Sequence, residues 1–120
     1  MIKRVNEMEI ELKERMREGK GKVEIRHLFN EKTELKGHCR LLGRVSIEQG
    51  ASIGLHPHEQ EEEIYYILKG RARVIDTIDG RDESYEAGPG DAILTGNGNR
   101  HSIENIGEEP LEFMAVILTY

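Results

Sequence analysis

From Val23 onward the chain alternates apolar and polar residues with a period of two. That period marks strands that bury one face. Val23, Ile25 and His27 alternate with charged residues. Leu41, Gly43, Val45 and Ile47 alternate with Arg44, Ser46 and Glu48. Ile64 to Leu68 is an apolar run between Glu63 and Gly70. Val74 to Ile78 runs into Asp79-Gly80, a dipeptide suited to a tight hairpin. Ala92–Leu94 and Ser102–Ile106 predict short strands beside a glycine-rich turn. Leu111 to Tyr120 predicts a last strand, with Pro110 at its start, where a missing N–H costs least. Many short strands with frequent turns predict an all-β barrel or sandwich.

Residues 1–22 read differently. Met8, Ile10 and Leu12 alternate like an edge strand, while Ile10 to Met16 also suits a short helix, with Asn6 and Glu9 as a capping pair. Both readings stand. Gly19 and Gly21 then break the pattern. The expected organisation is an N-terminal segment, 1–22, that covers the barrel or a dimer interface, followed by a barrel over 23–120.

Composition narrows the function. The 120 residues suit one domain. The formal charge is −6 with no basic stripe, which argues against nucleic acid and anionic membranes as partners. No apolar run approaches the roughly 20 residues of a membrane span, and the N-terminus has no hydrophobic signal core. A single cysteine, Cys39, excludes an internal disulfide, so a cytoplasmic location is expected.

The candidate chemistry lies between Gly50 and Gly70. His56 and His58, one residue apart on a strand, point to one face. Glu63, at the start of the following strand, can close on the same point. His101 follows a second glycine-rich turn. Imidazoles and a carboxylate suit first-row divalent metals. His27 and His38 lie apart from these stretches and read as surface or supporting residues. Cys39 reads as an inert thiol.

Both stretches resemble the two signature motifs of the cupin superfamily. Gly50, His56, His58, Glu63 and Gly70 fit the first at every position. Gly90, Gly98, His101 and Asn105 fit the second, with Gly96 in place of its proline. That replacement loosens the turn without removing a ligand. The resemblance implies a double-stranded β-helix, the cupin jelly-roll barrel, with a short N-terminal extension and an interior metal site. It assigns His56, His58, Glu63 and His101 as ligands to one divalent transition metal per chain, manganese favoured over iron, nickel, zinc or copper. The spacing to Gly70 selects Glu63, which leaves Glu59, Glu61 and Glu62 as a solvated acidic turn. An octahedral ion would keep two positions open, for a bidentate acid or for dioxygen plus a substrate.

Alternation from the ligands turns Tyr65, Ile67, Ile103 and Asn105 inward. With Ile53 they form the expected substrate pocket. Tyr66, Ile64 and Leu68 then form an outer apolar face, covered by the N-terminal segment or by a second subunit; a homodimer is expected. The implied function is a metal-dependent enzyme acting on a small carboxylate or oxygenated substrate, oxalate decarboxylase-like or dioxygenase-like. A non-catalytic binding module for a small anionic or carbohydrate-like ligand is the alternative, and a sugar isomerase another. In oxalate decarboxylases an arginine stands three residues before the first ligand histidine. Ile53 holds that position here, which argues against true oxalate decarboxylation.

Overall fold

The structure is a computed structural model that describes residues 1–120, with every side chain except that of Ile78. Ten strands follow in order: β1 (Glu9–Glu14), β2 (Lys22–His27), β3 (Cys39–Ile47), β4 (Ser52–Pro57), β5 (Glu61–Lys69), β6 (Ala72–Ile78), β7 (Arg81–Ala87), β8 (Ala92–Thr95), β9 (Arg100–Asn105) and β10 (Leu111–Thr119). They form two antiparallel sheets, β1-β2-β3-β10-β5-β8 and β4-β9-β6-β7. The expected all-β jelly roll is what the chain adopts.

The alternation explains the packing. Leu111, Phe113, Ala115 and Ile117 of β10 are buried, and so are Val45 and Ile47 of β3, Tyr65 and Ile67 of β5, and Ile103 of β9. These faces meet between the sheets in one core that also holds Val23, Ile25, Ala72, Val74 and Ile93. One end of the core is apolar. At the other, the inward positions become ionisable: β5 runs Ile67, Tyr65, Glu63, Glu61, and β9 runs Ile103, His101. The core therefore carries the site on its own strands, which fixes the ligands rigidly.

The N-terminal ambiguity resolves as a strand. β1 pairs with β2 from Glu9↔His27 to Glu14↔Lys22. It lies at the opposite sheet edge from β8, away from the outer face of β5. A short 3₁₀ turn, Met16–Glu18, then docks on β4. The hairpin at Asp79-Gly80 has both residues at positive φ, 51° and 76°, the twist that a two-residue connection between right-twisted strands requires. β7, RDESYEA, is a strand that alternation does not predict, because Ala87 is its one buried residue.

Candidate metal centre

His56 and His58 lie at the end of β4 and just beyond it, Glu63 on β5 and His101 on β9. All four are buried, between 1% and 6% exposed. One donor atom from each falls within 4.8 Å of the others. The His101 Nε2 lies 3.0 Å from His58 Nε2, 3.1 Å from His56 Nε2 and 3.0 Å from Glu63 Oε1. His58 Nε2 lies 2.9 Å from the same Glu63 oxygen.

The other nitrogen of each ring is engaged. His56 Nδ1–H donates to the Gly54 carbonyl at 2.7 Å, and His58 Nδ1–H to Glu61 at 2.5 Å. His101 Nδ1 pairs with the Thr95 hydroxyl at 2.7 Å. These partners fix each ring and turn its Nε2 toward the common point, the usual outer support of a metal ligand. The donor set thus fits a divalent transition metal: three imidazoles and one carboxylate, oriented from behind.

Local structure explains the convergence. Ile53 and His56, three residues apart, are both buried, which strict alternation forbids. A bulge lies between them: Ile53 pairs with Ile103 and His56 with His101, so two residues of β4 face one of β9. The bulge re-aims the strand at the site. The second glycine-rich turn is tied to the first histidine stretch. Gly98 N–H donates to the His58 carbonyl, His58 N–H to the Asn99 carbonyl, and Gln60 N–H to Asn97 Oδ1. Gly98 holds φ 85° there, accessible to glycine at little cost. The turn stays closed through an Asn99 N–H bond to the Gly96 carbonyl.

The electrostatics follow from burial and pairing. Burial holds the His56 imidazole down at about 4, so it is neutral near pH 7. Burial pushes Glu63 up, but hydrogen bonds from His101 and His58 outweigh it and leave the carboxyl at about 2. Burial also lowers His58, yet bonds to Glu63 and Glu61 win and raise it. Without a metal, His58 therefore tends to keep a proton that a metal must displace.

Glu61 corrects the sequence reading. It belongs to no solvated turn: it is only 9% exposed and accepts both His58 Nδ1–H and a bidentate pair from Arg40, at 2.7 and 2.8 Å. The Arg40 bonds, more than the His58 bond, pull its carboxyl down to about 2. Its one sequence signal is position, two residues before Glu63 on the same strand face. Thr95 gave no signal of its own. Glu59 is exposed and Glu62 half-buried.

A cavity of about 220 Å³ opens beside the cluster. Ile53 and Tyr65 line it, as do Glu11, Lys13, Arg17, His27 and Arg40. Tyr65 stacks on the His101 ring at 5.0 Å between centroids. Ile67 and Ile103 lie deeper, in the apolar core. Asn105 points inward but is committed to structure: its amide donates to the Ile47 and Glu109 carbonyls and its oxygen accepts from Gly107. His27 bonds to Glu11, and His38 is exposed.

Comparison with known proteins agrees with this geometry. The sequence matches the cupin domain family over residues 43–117. It is 44% identical over 118 residues to the oxalate-binding protein of Thermotoga maritima, covering 98% of this chain and 93% of that protein. It is 34% identical over 73 residues to the oxalate decarboxylase OxdC of Bacillus subtilis, covering 60% of this chain but 19% of that one. A solved Thermotoga maritima structure, described as a predicted oxalate decarboxylase, superposes with a TM-score of 0.87 at 42% identity over the whole of both chains. The cupin domain of Schizosaccharomyces pombe Cnp3 shares the fold alone, at a TM-score of 0.70 and 20% identity over 92% of this chain and 69% of that one. The barrel, its two motifs and the family match together place this chain in the cupin family.

Proposed function

We propose that the chain binds one divalent transition metal through His56, His58, Glu63 and His101, and that the metal holds a small dicarboxylate of the oxalate class. The single observation behind the metal is the paired engagement of each ring: Nδ1 is held from behind while Nε2 joins one buried cluster, His58 and His101 against the Glu63 oxygen and His56 against His101. Imidazole and carboxylate donors suit manganese, iron, nickel, copper or zinc, and we favour manganese, an octahedral ion that would keep two positions open beside four protein ligands.

Size and charge support the ligand. A cavity of about 220 Å³ is smaller than the roughly 300–1,000 Å³ of pockets for drug-sized molecules. Three neutral imidazoles, one carboxylate and a divalent ion sum to a net positive centre, which attracts an anion. The metal, when bound, supplies Lewis acidity to a carboxylate oxygen. The chain's own residues do the rest. Glu61 and Arg40 hold the His58 ring, Tyr65 and Ile53 wall the cavity, and the apolar core beneath excludes water. The relatives with oxalate in their names support the same choice of ligand.

Turnover of the bound acid, by decarboxylation or with dioxygen, is the second reading, favoured by the two positions an octahedral ion would leave open. A sugar isomerase has less support, because the cavity is small. We also read the outer face of β5, β8 and β10 as covered by a second copy of the chain. Leu94 is 59% and Tyr66 47% exposed there, beside Leu68 and Leu118. The lone cysteine, half-buried Cys39, accords with a reducing cytoplasm. No described helix is long and apolar enough to cross a membrane.

The test is a thermal-shift titration with oxalate, with and without manganese, followed by an assay for carbon dioxide and formate. The proposal expects stabilisation by oxalate that requires the metal. Product formation selects the enzyme reading. Stabilisation without metal, or none with it, contradicts the proposal.

A further inference from the structure

Besides the candidate ligands and Tyr65, five ionisable residues line the cavity, Glu11, Lys13, Arg17, His27 and Arg40, and all but one are already paired. Arg40 donates both of its bonds to Glu61. His27 and Lys13 share Glu11, at 3.1 and 3.6 Å. Arg17 also lines the cavity, yet among the described residues no carboxylate lies within 4.0 Å of its guanidinium. Arg17 is exposed to solvent, and an exposed arginine that lines the cavity beside the metal centre with no carboxylate partner is free to take one from a ligand.

The fold holds Arg17 there by unusual means. Arg15, Arg17 and Glu18 all have left-handed backbone, φ 50°, 55° and 64°. Such angles are disfavoured for residues with a side chain and persist where surrounding structure enforces them, often at ligand sites. Two glycines provide the enforcement. A Cβ on Gly54 would stand 2.1 Å from the Arg17 carbonyl oxygen, and one on Gly19 would stand 2.3 Å from that of Ser52. The segment therefore sits backbone against backbone on β4, one residue from Ile53 in the cavity wall. Ile53 adds no charge, so the cation reaches the cavity from the N-terminal segment.

We propose that Arg17 grips the distal carboxylate of a dicarboxylate whose other end is held at the metal centre, and so sets the preference for diacids over monoacids. This rests on the reading of the site as a metal-dependent oxalate-class binder. A guanidinium can present two parallel N–H donors to a carboxylate. The β1 strand and the turn after it thus become part of the binding site.

The experiment is calorimetric titration of oxalate and of acetate into manganese-loaded wild type, Arg17→Ala, Arg17→Lys and Arg17→Gly, with metal content measured on each sample. The expected result is an unchanged metal content, oxalate affinity lower by about 10- to 100-fold in the alanine and glycine variants, less loss in the lysine variant, and acetate affinity unaltered. Arg17→Gly also relieves the left-handed backbone. It should melt no lower than wild type while binding oxalate worse, which separates lost recognition from damaged folding. Equal oxalate affinity in wild type and Arg17→Gly overturns the role of Arg17 alone, as does an equal loss for acetate. A wild type that holds manganese but binds no oxalate overturns the ligand assignment, and Arg17's role with it.

Discussion

At the scale of single residues, the site depends on groups that never touch the metal's position. Glu61 holds the His58 ring and is itself held by Arg40. Glu61→Gln keeps the shape but removes the charge that draws on the imidazole. Manganese affinity should fall about 10- to 100-fold, read by competition with a chelator, with little change in the folded spectrum. A second expectation concerns pH. In the metal-free protein His56 titrates at about 4 rather than its ordinary 6.5. Its folded value lies below its unfolded one, so the unfolded chain binds more protons between these two values. Stability then falls as pH drops from 6.5 to 4, by about 3 kcal/mol from this group. Urea melts in the presence of a chelator should show that slope, and His56→Ala should flatten it.

At the scale of elements, the close seat of the Met16–Glu18 turn on β4 gives the clearest expectation. Gly54→Ala puts a methyl into the Arg17 carbonyl. It should destabilise the fold by about 1–3 kcal/mol, as overpacking does, and should weaken oxalate binding through displacement of Arg17. Thermal melts and the same calorimetry check both. The elements also mark what a sequence can reveal. β3 was legible because its apolar inner face alternates with a mostly polar outer one, and β5 and β10 because they are apolar runs bounded by Glu63 and Gly70 or opened by Pro110. The four candidate ligands were legible because two motifs fix their spacing. β7 was hidden because an edge strand with six exposed residues has no alternation. The β4 bulge was hidden because it breaks the alternation that locates strands. Glu61 and Arg17 were hidden in charged runs, EQEEE and ERMREG, where only the fold shows which carboxylate supports a ligand ring and which cation lines the cavity.

At the scale of the whole molecule, the six-stranded sheet keeps an outer face that its own chain does not cover at β5 and β8, since β1 lies at the other edge. Ile64 pairs with Leu94 and Tyr66 with Met114 across that face, which makes the apolar surface continuous. Burying such a patch contributes roughly 25 cal/mol per Å², and a second copy supplies the same surface by symmetry. Leu94→Glu should convert a dimer into a monomer of unchanged fold, seen by sedimentation. A wild type that sediments as a monomer at high concentration contradicts the dimer.

Elemental analysis tests the metal centre. Wild type and His58→Ala would be purified side by side, reconstituted with manganese and dialysed, with folding checked by circular dichroism. About one equivalent of metal per chain is expected in wild type, lost in the folded variant. A wild type that retains no metal after reconstitution, or a folded His58→Ala that retains a full equivalent, would contradict it.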